Sequence, residues 1–112
     1  MSVKKDRIES VIKREIAMAI TTQLNDPALK FASVTDVEVS DDLSFATVFV
    51  SFIREEDKEK GIEVLVKSKG FLRTIISKSI KTRRVPVILI KLDESSEKGS
   101  KIDDILNKIK ED

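Results

Sequence analysis

The sequence predicts an α+β fold in two layers, a three-stranded sheet with helices packed on one face. Three observations carry that prediction. An apolar stripe recurs at steps of three and four near the amino end, two alternating runs flank a short polar loop, and a second helical-period segment leads into a β-rich run. A chain of 112 residues with no break in composition is long enough for one compact domain and too short for two.

The first element is a helix. Ile8, Val11, Ile12, Ile16, Ile20 and Leu24 have the spacing of one buried face. Asp6 with Glu9 three residues later forms a candidate cap, with the boundary there or a turn earlier. The segment "NDP" at 25–27 marks the end, because proline disfavours helical geometry in the residue before it. A hairpin follows. Val37 and Val39 alternate with Asp36, Glu38 and Ser40, and after the loop "DDLS" comes "FATVFVSFI". Ala46, Val48, Val50 and Phe52 share one face of the second strand. Phe45, Thr47, Phe49, Ser51 and Ile53 share the other, which is expected to be partly covered as well.

After "REEDKEKG" a second helix places Ile62, Leu65 and Val66 on one face, and Gly70 then interrupts the pattern. Beyond it Leu72, Ile75, Ile76 and Ile80 form an apolar arc, with Arg73, Ser77, Lys78 and Lys81 on the opposite half of the wheel. The run "RRVPVILIKL" reads as the third strand, with its proline at the entry, where it removes no ladder hydrogen bond. Last, Ser100 and Asp103 precede Ile102, Ile105, Leu106 and Ile109, a short amphipathic helix at about 100–110 that docks or frays. The order is α-β-β-α-α-β-α, with a core at about 4–94. If the second and third strands run parallel, their crossover should be right-handed.

Composition narrows the function. The chain has no cysteine and no histidine, which removes disulfides, a thiolate nucleophile, an imidazole base and the two commonest zinc ligands. No apolar run approaches membrane-spanning length and the opening "MSVKKDRIES" has no export signal, so a cytoplasmic protein is expected. The net charge of +1 conceals an asymmetry. Residues 67–84 hold seven of the 21 basic side chains and no acid, leaving 14 basic against 20 acidic residues elsewhere, a net −6. That polarity points to an anionic partner.

Gly70 has two compatible readings. It ends one helix so that the next packs at a new angle, by adopting a left-handed conformation or allowing close helix approach. It also exposes the amino end of the following helix to a phosphate flanked by Lys67, Lys69 and Arg73. A lesser reading makes Asp36, Asp41, Asp42 and Asp93 metal ligands of a small hydrolase; as loop acids they are better read as caps and turn residues.

Helix-glycine-helix between a hairpin and a last strand resembles KH-type RNA-binding domains, although the chain lacks their Gly-x-x-Gly loop. The segments "RIESVIKREIA", "NDPAL", "VTDVEVSDDLSFATVFVSF", "GFLR", "RRVPVILIKLDES" and "GSKIDDIL", in that order, are similar to the ribosome-binding factor A family, whose kinked helix pair carries Ala-x-Gly. Here Ser68-Lys69-Gly70 replaces the alanine with serine, a small residue able to cap the next helix, Thr82 stands where leucine is preferred, and Ile90 where an aromatic is common.

The resemblance implies a single KH-like (type II) domain over residues 1–112. It also implies a factor that binds the immature small (30S) ribosomal subunit and its 16S rRNA, assists maturation of that RNA's 5′ end, occupies the region near the decoding site until assembly is complete, and matters most in the cold. Assembly GTPases and initiation factor three are the implied functional partners of a monomer with no catalysis, cofactor or metal. The RNA-binding residues expected on this basis are Lys67, Ser68, Lys69, Gly70, Arg73, Lys78, Lys81, Arg83 and Arg84, with Arg7, Lys13 and Arg14 on the first helix widening the patch. All five aromatics are Phe, mostly at strand or helix positions facing a core, so recognition by shape and phosphate is expected rather than base stacking. The alternative is an ordinary single-strand RNA-binding KH module.

Overall fold

The computed structural model describes residues 3–80 and 84–94. Helix α1 spans Val3–Ala19 and continues as one π-helical turn over Ile20–Leu24. Strands β1 (Ala32–Val39) and β2 (Phe45–Phe52) form the hairpin, α2 (Lys58–Lys67) and α3 (Lys69–Ser79) the helix pair, and β3 (Val87–Leu92) the last strand. The expected helix at about 100–110 lies outside the described residues.

The sheet order is β1-β2-β3, with β1 antiparallel and β3 parallel to β2. Val37, Val39, Ala46, Val48, Val50, Phe52 and Ile88 are buried on one face, against Ile8, Ile12, Ile16, Leu65, Leu72 and Ile76 from the helices. Phe45, Ile53 and Val87 lie exposed on the other face, so the cover expected there is at most partial. This is the two-layer arrangement that the sequence predicts.

Local chemistry explains the boundaries. Helix α1 starts before Asp6, which sits in its first turn. Glu9 caps nothing there; its carboxylate accepts from the Val39 backbone N–H at 2.7 Å, tying α1 to the end of β1. Asn25 closes the π turn in a left-handed conformation (φ 44), and the Asp26 carboxylate accepts from Ala28 N–H at 2.9 Å, capping the 3₁₀ turn that Pro27 begins. Pro86 is fully buried immediately before β3, which is therefore shorter than the run "RRVPVILIKL". Val66, expected on the buried face of α2, is exposed, and Gly61 occupies that face instead. A Cβ on Gly61 would lie 2.2 Å from Phe52 Cε2, so this is the glycine through which α2 approaches the sheet.

Candidate nucleic-acid interface

The bend between α2 and α3 is centred on Ser68, not Gly70. Ser68 leaves helical geometry (φ −93, ψ 5) while its N–H still bonds Val64 O at 3.0 Å and Leu65 O at 3.1 Å. Its hydroxyl donates to Val64 O at 2.8 Å. Such back-bonding to the preceding turn bends helices, and it leaves the serine serving the end of α2 rather than capping α3. Gly70 lies in the first turn of α3 with a negative φ, and a Cβ there would meet nothing within 4 Å. Neither the left-handed conformation nor the close helix approach expected of Gly70 is present. One residue off helical geometry is enough to turn the axis, so the fold places no demand on this glycine.

What Gly70 does is leave backbone exposed in a groove. An open concavity of about 840 Å³ is lined by Gly70, Arg73, Thr74 and Ser77 of α3 and by Arg84 and Val85 of the segment entering β3. Arg73 donates from Nη2 to Val85 O at 2.9 Å, and Arg84 from Nη1 to Ser44 Oγ at 2.9 Å. Each bond fixes the side chain's direction. A guanidinium has five donors, so Arg73 retains capacity for a phosphate. Thr74 and Ser77 bond back to Gly70 O (3.0 Å) and Thr74 O (2.7 Å), which leaves their hydroxyl oxygens as acceptors. Among the described residues no acid lines this groove.

The remaining expected site residues divide. Lys69 is half-buried beside Gly70. Lys67 pairs with Glu63 at 2.8 Å, a bond that raises the lysine's pKa and lowers the glutamate's. Both partners are exposed, so the pair opens at little cost when a phosphate competes. Lys78 lies on the other side of α3, in a groove against α1. Lys81 and Arg83 fall outside the described residues. Arg7, Lys13 and Arg14 are exposed on α1, with Arg14 at 3.6 Å from Glu15; Arg7 and Arg14 share a stripe, and Lys13 is about a quarter-turn away.

The carboxylates considered as metal ligands do not converge, and the reading of them as cap and turn residues fits their bonds better. Asp41 pairs with Lys5 at 2.9 Å, Asp42 accepts from Ser40 Oγ and Ser44 N–H within the hairpin turn, Asp36 accepts from Val37 N–H, and Asp93 bonds the Thr35 hydroxyl. Among the described residues no three acids come together as a metal cage would require. No described helix is long and apolar enough to cross a membrane.

The aromatics depart from expectation. Phe52 is buried, whereas Phe31, Phe45 and Phe71 are 38%, 48% and 45% exposed. The inference that base stacking plays no part therefore loses its premise. The alternation that sets Phe45 opposite the buried Ala46 already puts it on the second face of the strand, and the place of Phe71 just before the apolar arc begun by Leu72 is the signal that sets it outside the core.

Residues 4–106 match the family model described as ribosome-binding factor A. Ribosome-binding factor A of Brevibacillus brevis is 47% identical over 104 residues, covering 92% of this chain and 86% of that protein. The Thermodesulfovibrio yellowstonii protein of that name is 38% identical over 107 residues, covering 96% and 91%. The crystal structure of ribosome-binding factor A from Thermus thermophilus superposes with a TM-score of 0.70 at 30% identity, covering 79% of this chain and 94% of that one. A homology model of the Thermus thermophilus factor, fitted into the cryo-EM map of its complex with the 30S subunit, gives 0.67 at 28% identity, covering 80% and 94%.

Proposed function

The chain belongs to the ribosome-binding factor A family, and from that premise we propose that it binds the immature small (30S) ribosomal subunit through its 16S rRNA. The observation that carries this reading is the groove lined by the exposed Gly70 together with Arg73 and Arg84, with no acid among the described residues that line it. RNA phosphates approach the groove along α3, whose amino end adds its positive dipole. Arg73 and Arg84 clamp them, Lys67 and Lys69 extend the contact around the bend, Lys81 and Arg83 add further phosphate contacts, and Arg7, Lys13 and Arg14 widen the contact along α1. Lys78 meets the same RNA from the far side of α3.

The whole chain acts in this as one KH-like domain and as a monomer, in the cytoplasm. No bond is made or broken by the protein. Binding energy directed at one conformation of the RNA raises that conformation's population, and a difference of about 1.4 kcal/mol between two conformers shifts their ratio tenfold. On this reading the protein assists 5′-end maturation and late subunit assembly near the decoding site, with its greatest effect in the cold, when misfolded RNA is slow to rearrange. Assembly GTPases and initiation factor three govern its departure. The 30S complex of the Thermus thermophilus factor supports the choice of partner.

Co-sedimentation of the full chain with isolated small subunits, large subunits and a short single-stranded RNA tests the proposal. Binding confined to small subunits is the expected result. Equal binding to the oligonucleotide alone would identify an ordinary single-strand RNA-binding module, and a divalent-metal-dependent hydrolysis would return the loop acids to consideration.

A further inference from the structure

Helix α3 separates two grooves with different linings. On one side lie Gly70, Arg73, Thr74 and Ser77, and on the other Phe71, Ile75 and Lys78, each set spaced as one stripe of the helix. The second stripe faces the carboxyl end of α1 across a slot of about 320 Å³, whose α1 wall includes Met18, Thr22, Gln23 and Glu15. That size is at the small end of the roughly 300–1,000 Å³ of ligand sites. Phe71 is 45% exposed and Met18 53% exposed, so an aromatic ring and a polarisable thioether stand open to solvent on opposite walls.

We propose that this slot takes one unpaired RNA base, stacked on Phe71. The inference rests on the RNA-binding reading above and adds base contact to it. The rim suits a base edge better than a phosphate. Gln23 offers both a donor and an acceptor, Lys78 three donors, and the Thr22 hydroxyl, which donates to Met18 O at 2.7 Å, an acceptor. Glu15, held by Ser79 Oγ at 2.7 Å, brings a carboxylate that repels phosphate and accepts from a base amino group. Part of the α1 wall is the π-helical turn Ile20–Leu24, the type of local irregularity that recurs at functional sites. Because Phe71 directly follows Gly70, a strand crossing α3 sets its phosphate in the first groove and its base in the second.

The test uses the full chain and isolated small ribosomal subunits. Phe71→Leu keeps apolar bulk but loses the aromatic face; Phe71→Trp keeps the face and introduces the chain's sole tryptophan. Thermal unfolding of both variants should match the parent protein, since the ring is half outside the core. Phe71→Leu should weaken binding by a factor within the roughly 5- to 150-fold range of base–aromatic stacking, with the salt dependence unchanged. Phe71→Trp should bind within about threefold of the parent, its emission quenched on binding by the stacked base. Unchanged binding of Phe71→Leu, while Arg73→Glu still weakens it, would overturn this proposal and leave the RNA-binding reading standing. Tryptophan emission that brightens and shifts to the blue without quenching would mean an apolar protein side chain fills the slot, which also overturns it. Failure of the parent protein to bind small subunits would remove both.

Discussion

Two glycines sort the demands of the fold from those of the interface. A Cβ on Gly61 meets Phe52 Cε2 at 2.2 Å and Cζ at 2.5 Å, so the buried ring would have to shift within the core. Gly61→Ala should therefore destabilise the protein by about 1–3 kcal/mol, the usual cost of overpacking a core, read as a lower midpoint in urea unfolding. Gly70→Ala should do the reverse. Its Cβ enters open space, and alanine is favoured over glycine in a helix by up to about 1 kcal/mol, so stability should hold or rise. Affinity for the small subunit should nevertheless fall, because a methyl group then stands where RNA approaches the backbone. The sequence singles out Gly70 through its interruption of a helical period, and that signal marks the right place with the wrong cause. Gly61 carries no such signal, since its constraint comes from a phenylalanine on a strand nine residues earlier.

At the scale of elements, the helix pair and the hairpin turn each depend on side chains that bond locally. The bend at Ser68 is supported by its hydroxyl on Val64 O, but its N–H keeps two backbone partners. Ser68→Ala, which restores the residue the family resemblance leads one to expect, should cost no more than about 1 kcal/mol in thermal unfolding and leave subunit binding intact. In the hairpin turn the Lys5 ammonium holds the Asp41 carboxyl below its ordinary range, and Ser40 and Ser44 do the same for Asp42. A carboxylate whose pKa is lowered by folding contributes stability above its unfolded pKa and loses it as pH falls through the folded value. Asp41→Asn should thus melt slightly below the parent at neutral pH, with the difference vanishing in strong acid. Melting curves across a pH series check this; a difference that persisted in acid would mean that the pair is not its source. The hairpin and both helices are legible from periodicity, because burial on one face imposes a period of two or 3.6. The π turn after Ala19 and the bulge between Val34 and Asp36 are not, because neither follows from a period of two or 3.6, and β3 is cut short by the buried Pro86 inside the β-rich run.

Over the whole molecule, the polarised charge is the feature most directly read from the sequence, since a run of seven basic residues without an acid needs no structure to be counted. Which of those residues act together does need one: Arg73 and Arg84 meet in one groove, Lys78 is turned to another, and Lys67 is paired with Glu63. A strand order that follows the chain, with β3 parallel to β2, brings Arg84 beside α3. That contact spans the fold and leaves no local trace in the sequence. A phosphate-binding surface of this kind predicts affinity that falls steeply with salt, and Arg73→Glu should both weaken binding and flatten that slope. The same reversal at Arg54, already paired with Glu56 at 2.6 Å, should change little.

The central claim, that the surface around the α2–α3 bend is the one that meets small-subunit RNA, is tested most directly by cleaving that RNA from the protein. The chain has no cysteine, so a single one can be placed at will and loaded with iron–EDTA. Val66, exposed at the end of α2 beside the bend and outside the proposed contacts, is the informative position; Glu38, exposed on β1, is its counterpart on the sheet. Bound to isolated small subunits, Val66→Cys should direct strong, localised cleavage of 16S rRNA and Glu38→Cys little. Strong cleavage from Glu38→Cys with none from Val66→Cys would contradict the account, because the RNA would then lie against the sheet and not against the helices.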